Sequence, residues 1–261
     1  MVKLLSLHAV SRTFSGLQAV DRVDMAIDPA RVHALIGPNG AGKTTLFNLI
    51  SGVTAVSAGV IRFNGADITG LSADRRAALG IARTFQNIRI FGTMTVLENV
   101  LTGLHPRLSA GLFSIICRRP SFRAEERQAV ISAREALDLV GLADRAAAPA
   151  ASLAYGDQRR LEIARALVPA PRLLLLDEPA AGMNPAETAG LKRLLETIRR
   201  AGTTVLLVEH DMSFVMEVSD HITVLNFGRR IFDGAPAEAR SSTAVIEAYL
   251  GHKVAARLSR R

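Results

Sequence analysis

The sequence predicts an α/β protein with a mixed, mainly parallel sheet, and three observations predict it. Short continuous apolar runs at Val32 to Ile36, Leu173 to Leu176 and Thr204 to Val208 read as strands buried on both faces. These runs alternate with helical patterns, the arrangement of a parallel sheet whose crossovers are helices. Each run also ends in residues able to do chemistry: Gly37 after the first, Asp177-Glu178 after the second and Glu209-His210 after the third. Open α/β sheets bind ligands beyond the carboxyl ends of their strands, so a site is expected there.

The first run leads into Gly37-Pro38-Asn39-Gly40-Ala41-Gly42-Lys43-Thr44, a full match to GxxxxGK(S/T), and a helical pattern follows from Thr44 to Leu49. A chance match in a chain of this size has a probability on the order of one percent. The glycines let successive N–H groups turn inward as an anion nest, and the helix adds the positive end of its dipole. Lys43 is expected to reach the β- and γ-phosphates and Thr44 to sit on Mg²⁺, with Thr45 beside it among the nucleotide contacts. This resembles the core of a P-loop NTPase, which is the fold expected. Farther on, Asn64-Gly65 after Val60 to Phe63 reads as a hairpin turn, which puts an antiparallel β piece near the N-terminus.

From Ile88 to Ala151 strand signals give way to helical ones, at Val96 to Leu104 and Ala124 to Val140, before an alanine-rich link with Pro149. An inserted helical subdomain is therefore expected over 88–160, between core segments 1–87 and 161–235. A C-terminal helix and basic tail are expected over 236–261. Within the insert, Gly111 to Cys117 is apolar and runs into Arg118-Arg119-Pro120. A partner surface and a helix packed into the lobe are both open readings of it.

The second run, Leu173 to Leu176, ends in the acids Asp177 and Glu178. Asp177 is expected to hold Mg²⁺ through its water shell, and Glu178 to orient or deprotonate an attacking water. An acidic pair alone serves as often to cap a helix; behind a buried strand, in a chain that also carries the phosphate loop, the catalytic reading prevails.

At 261 residues and 49% hydrophobic, the chain can bury a large core and is neither disordered nor fibrous. No run approaches the roughly 18 apolar residues that span a bilayer, and the first residues lack a signal-peptide core, so a cytoplasmic location is expected. Cys117 is the only cysteine, which excludes an intrachain disulfide and a cysteine-cluster metal site. The net charge of +8 comes from scattered arginines without an aromatic-interleaved stripe, so nucleic acid is not an expected partner. Lys253, Arg257, Arg260 and Arg261 form a basic tail, read either as a disordered end or as a contact for acidic headgroups.

Leu153-Ala154-Tyr155-Gly156-Asp157-Gln158-Arg159-Arg160, opening a helix from Gln158 to Leu167, makes the pattern specific. In the order phosphate loop, this segment, acidic strand, histidine strand, it resembles the LSGGQ signature of ATP-binding-cassette ATPases. The resemblance covers nearly the whole chain. It implies that Phe14 stacks on adenine with Val20 beside it, that Gln86 links Mg²⁺ and attacking water to a membrane partner, and that Ala181 to Asn184 forms a dimer-contact loop. It further implies that His210 touches the γ-phosphate, and that Ala154, Tyr155 and Gly156 close over the nucleotide of another subunit.

Three departures from the family pattern matter: Ala154 for serine, Asp157 for glutamine and Asn184 for aspartate. Together with the words LAYG, Glu178 to Pro185 and Val245-Ile246-Glu247-Ala248-Tyr249-Leu250-Gly251, they resemble the ATPases of branched-chain amino acid importers. That implies ATP and Mg²⁺ as cofactors, a second ATPase subunit as a copy or a homologue, and two permease subunits. An external substrate-binding protein is implied indirectly, as is a location on the cytoplasmic face of the membrane. A lipopolysaccharide-exporter ATPase and a soluble cassette acting on nucleic acid or ribosomes are the alternatives.

Overall fold

The computed structural model describes residues 3–86, 88–107 and 120–250. Among them the strands are β1 (Leu5–Phe14), β2 (Leu17–Ile27), β3 (Val32–Ile36), β4 (Ala58–Phe63), β5 (Ala66–Asp67), β6 (Ile81–Arg83), β7 (Leu173–Asp177), β8 (Thr204–Val208), β9 (His221–Asn226) and β10 (Arg229–Gly234). The central sheet runs β10-β9-β3-β8-β7-β6, parallel throughout except for the β9–β10 hairpin. A second sheet, β2-β1-β4-β5, is antiparallel. Its β4–β5 turn is the expected one, with Asn64 at φ 50° and Gly65 at φ 83°, the positive values that a two-residue hairpin of this twist requires.

Every residue of β3, β7 and β8 is buried, and the alternation of side chains along them divides the core in two. Ala34, Ile36, Leu174, Leu176, Val205 and Leu207 face one cluster, while Leu35, Leu173, Leu175, Leu206 and Val208 face the other. The second cluster holds the antiparallel sheet and helix α1 (Lys43–Ser51), through Leu46, Phe47, Leu49 and Ile50. The first holds most of the other helices. Each fully buried leucine contributes about 2 kcal/mol of apolar burial, so the strands are anchored from both faces.

After α2 (Ala73–Ala78) and β6, helices alone occupy the described residues up to β7: α3 (Val96–Leu101), a 3-10 turn (Thr102–Arg107), α4 (Pro120–Leu139), two short 3-10 turns, and α5 (Tyr155–Leu167). The α-helical part of Val96 to Leu104 stops at Leu101 and tightens into the 3-10 turn. Its start is set by a capping box between Thr95 and Glu98. The signature helix begins at Tyr155 rather than at Gln158, because Ala154 adopts the extended backbone of an N-cap. Beyond β7 come α6 (Pro185–Arg200), α7 (Met212–Val218), α8 (Pro236–Ser241) and α9 (Thr243–Leu250). No helix among the described residues is long and apolar enough to cross a membrane. The apolar stretch Gly111 to Cys117 and the basic tail at Lys253, Arg257, Arg260 and Arg261 lie outside the described residues.

A polar relay, buried at His33 and Thr223, lies toward the amino-terminal half of β3, away from the phosphate loop. His33 Nε2 donates to the Thr223 hydroxyl at 2.8 Å, Thr223 donates to Asp233 at 2.6 Å, and His221 Nε2 lies 3.3 Å from the same carboxylate. Burial, with His221 adding to it, pushes His33 down to about 3. Below pH 6.5 the unfolded chain takes up a proton that the folded chain refuses until pH about 3, so stability from this group is full above 6.5 and falls as pH drops toward 3. Urea unfolding of the wild type and of His33→Leu should therefore diverge below pH 6.5, the wild type losing about 1.4 kcal/mol more per pH unit. A difference that stays constant between pH 7 and 4.5 would refute this role for His33.

Candidate functional site

The phosphate loop leaves β3 where no side chain fits. Gly37 has φ 152°, and a Cβ there would lie 2.2 Å from the Leu225 carbonyl; at Gly42, φ 97°, it would lie 2.5 Å from the Ala19 carbonyl. These approaches fold the loop onto β9 and β2, leaving Gly40 over open space. α1 then starts with Gly42 as N-cap, no side-chain cap and no acidic residue in its first turn, so neither cap nor first-turn carboxylate competes with an anion for its first N–H groups. Lys43 Nζ donates to the carbonyls of Gly37 at 2.7 Å and Pro38 at 3.0 Å, which lays the ammonium across the loop. Burial lowers its pKa, while Glu178 and Asp177 pull the other way.

A cavity of about 440 Å³ opens above this turn, lined by Gly40 to Thr45, Gln18, Phe14 and Phe227. Phe14 is 41% and Phe227 85% exposed, so two aromatic faces stand at its rim. Arg12 covers one of them, its guanidinium 4.4 Å from the Phe14 ring centre. Val20 is placed differently from the expectation: it is buried in the core beneath Gly42 and does not line the cavity. Asn39 is exposed at the loop's outer bend.

Parallel pairing of β7 with β6 and β8 brings the other candidates together. Gln86 Nε2 donates to Glu178 Oε2 at 3.3 Å, and His210 Nδ1 lies 3.8 Å from Glu178 Oε1. Glu178 sits at φ 47°, a left-handed conformation costing a non-glycine residue about 1 kcal/mol, held by its N–H donating to Val208 O at 2.9 Å. Asp177 is buried; desolvation raises its pKa, and Arg83 at 3.3 Å opposes the rise. Arg83 is fixed in turn by donating to Asn48 Oδ1 at 2.6 Å and Ser51 Oγ at 2.9 Å on α1. Thr44 and Asp177 offer hydroxyl and carboxylate oxygens, the hard donors that suit magnesium.

The signature residues stand apart from this cavity: Ala154, Tyr155 and Gly156 do not line it. Tyr155 is half-exposed and packs on Gly182, while Gly156 is buried against Glu187. Asn184 does what an aspartate would do at its place, its Oδ1 accepting from Glu187 N at 3.0 Å as the cap of α6. Asp157 pairs with Arg160 within the signature helix.

The sequence model of the ABC transporter family matches residues 20–181, and that of the branched-chain amino acid ATP-binding cassette transporter matches residues 229–255. The chain is 46% identical to the high-affinity branched-chain amino acid transport ATP-binding protein LivG of Escherichia coli K12, over 95% of this chain and 98% of LivG. Identity to the corresponding BraF protein of Pseudomonas aeruginosa is 45% over the same shares. The chain belongs to the ABC transporter family. The ADP conformation of MJ1267, an ATP-binding cassette of an ABC transporter, matches this cassette with a TM-score of 0.84 at 29% identity, over 97% of this chain and 100% of that one.

Several residues that shape the cassette's site escaped the sequence reading. Phe227 was findable as an aromatic in a turn, Asn226-Phe227-Gly228, where an apolar side chain is out of place. Arg159 and Glu162 were not, because helix periodicity says nothing of partners. Arg159, wholly buried on α5, donates to the carbonyls of Phe85 at 2.8 Å and Gln86 at 2.7 Å and pairs with Glu162 at 3.1 Å. It thereby ties the signature helix to the Gln86 backbone. Arg159→Met leaves the buried Glu162 with the Phe85 N–H at 3.4 Å and Arg165 3.8 Å away, and should cost about 3 kcal/mol of stability in urea unfolding. Arg159→Met with Glu162→Met should recover part of that loss; a double variant no more stable than the single one would refute the charge-pair account.

Proposed function

We propose that this ATPase energises a branched-chain amino acid importer, working as one half of a two-cassette dimer. The observation that carries the chemistry is the grouping of Glu178, Gln86 and His210 at the ends of adjacent strands next to an open phosphate loop. The full-length similarity to LivG and BraF, named as branched-chain amino acid transport proteins, carries the solute class. The same similarity disfavours the lipopolysaccharide exporter and the nucleic-acid-acting cassette.

In this reading the loop N–H groups, Lys43 and the start of α1 bind the polyphosphate, Phe14 and Phe227 flank adenine, and Gln18 and Thr45 border the pocket. Thr44 and Asp177 would hold Mg²⁺, which would supply positive charge beside the phosphates. Glu178 accepts the proton of the attacking water, with the Gln86 amide and the His210 ring orienting water and γ-phosphate from either side.

Because Ala154, Tyr155 and Gly156 lie away from their own cavity, a second cassette supplies them. Ala154 offers no hydroxyl, so the uncapped N-terminus of α5 meets the γ-phosphate through backbone N–H groups. The partner is a second copy or a homologous subunit, and the solute never touches this chain. A cleft of about 510 Å³ opens among Val53, Phe85, Arg89, Phe91 and Arg165, beside the Gln86 loop. Its exposed Phe91 and Val53 suit an apolar segment of a permease, which seats the cassette on the cytoplasmic face of the membrane. An external substrate-binding protein completes the system through the permeases.

Glu178→Gln should keep ATP binding, lower turnover by at least about 100-fold and accumulate an ATP-bound dimer in size-exclusion chromatography. Near-normal turnover would remove Glu178 from this role. Phe91→Glu should leave the isolated cassette's ATPase within about twofold of wild type while abolishing co-purification with its permeases, because a charge then enters the docking cleft. Undiminished co-purification would refute the cleft as the docking surface.

A further inference from the structure

Glu209, between β8 and His210, is as buried as the core leucines although it carries a carboxylate, and the reaction described above does not use it. Its two oxygens face opposite loops. Oε1 accepts the N–H of Ala180 at 2.8 Å, in the stretch leaving Glu178, and Oε2 accepts the N–H of His210 at 3.2 Å. The His210 ring lies 3.8 Å from this carboxylate and equally 3.8 Å from Glu178, so the histidine is bracketed by one acid it touches through the backbone and another it faces across the site.

In the first loop Ala181 N donates to Glu178 O at 3.2 Å and Met183 N to Ala180 O at 3.1 Å, bonds that turn the chain without tying it to the loop at His210. Ala180 and His210 follow β7 and β8 beyond the last strand pair, Asp177 with Val208, where the sheet's own hydrogen bonds give out except for Glu178 N to Val208 O. Ala180 is half-buried and His210 exposed, and one buried carboxylate takes the N–H groups of both. Burial pushes the Glu209 carboxyl up, and the N–H bonds of Ala180 and His210 pull it back toward ionisation.

We propose that Glu209 is a positioning residue for ATP hydrolysis: its carboxylate clamps the backbone of the loop after Glu178 to the backbone of His210. The general base and the γ-phosphate-facing histidine thus keep their mutual spacing while the nucleotide turns over. The clamp reaches farther through Gly182, two residues past Ala180, which packs under the Tyr155 ring at the head of the signature helix. A displacement of that helix is then felt at His210 through a short path of packed backbone. The inference rests on the assignment of Glu178 and His210 to hydrolysis.

Glu209→Gln replaces one of the two acceptors by an amide NH2 that cannot receive an N–H. In the full-length cassette with Mg-ATP, kcat should fall at least about tenfold with KM for ATP within about twofold and the thermal midpoint nearly unchanged, since geometry rather than binding is lost. Single-turnover assays with labelled ATP supply the second readout. Placed on His210→Ala, the Glu209→Gln change should add less than about twofold, because it acts through a residue already removed. A kcat near wild type, a loss confined to KM, or losses that multiply in the double variant would overturn the proposal. Should Glu209→Gln not fold, amide hydrogen exchange of the wild-type protein decides. The N–H groups of Ala180 and His210 should both exchange slowly, and exchange at the rate of an open loop would overturn the clamp. Glu178→Gln run in parallel separates the two ideas: if it retains turnover, the assignment of the site fails, whereas if it is inactive and Glu209→Gln is not, only the clamp fails.

Discussion

Parallel pairing of β7 with β8 and of β8 with β3 is the constraint on which the rest of the molecule depends. It aligns the carboxyl ends of three strands whose sequence positions are far apart, so that Gly37, Asp177-Glu178 and Glu209-His210 emerge along one edge. The pairing is secured because these strands are buried on both faces, and a slip of one residue would exchange the two faces and their clusters. A parallel ladder also needs long crossovers, and the helices that supply them become the first core cluster.

Beyond the strand ends the sheet no longer holds the backbone, and buried charge takes over that work. Arg83 binds Asp177 and α1 together, Arg159 and Glu162 bind the signature helix to Phe85 and Gln86, and Glu209 binds the loops carrying Glu178 and His210. Buried pairs of this kind contribute little net stability compared with apolar residues of similar volume, but they are costly to break singly. Their geometry suits loops that must hold a defined spacing near a reacting phosphate. The same residues link the phosphate loop, the glutamine loop and the signature helix, the parts that a nucleotide and a second cassette would have to move together.

The Ala154 to Gly156 segment stands apart from the cavity of its own subunit. Tyr155 packs against the loop at Gly182 and Gly156 against Glu187, so the signature is anchored on the stretch that follows Glu178. The departures from the family pattern are accommodated locally. Asn184 still caps α6, Asp157 finds Arg160 one turn on, and Ala154 still provides the extended N-cap backbone of α5.

The amino-acid chain alone suffices for the class of fold, the buried strands, the hairpin at Asn64-Gly65 and the phosphate loop, because each is local: periodicity, turn chemistry and a glycine pattern act within a few residues. It also determined the order of motifs, and through that the resemblance to a cassette ATPase. Which residues meet is a matter of long-range packing. That Val20 lies under Gly42 and not in the cavity, that Phe227 faces Phe14's pocket, and that Arg159 grips Gln86 are contacts between distant segments. Neither periodicity nor composition encodes which carbonyl a buried guanidinium will find. Such partners are settled by the packing of two sheets and their helices, since a buried polar group must satisfy itself with whatever the fold brings within about 3 Å.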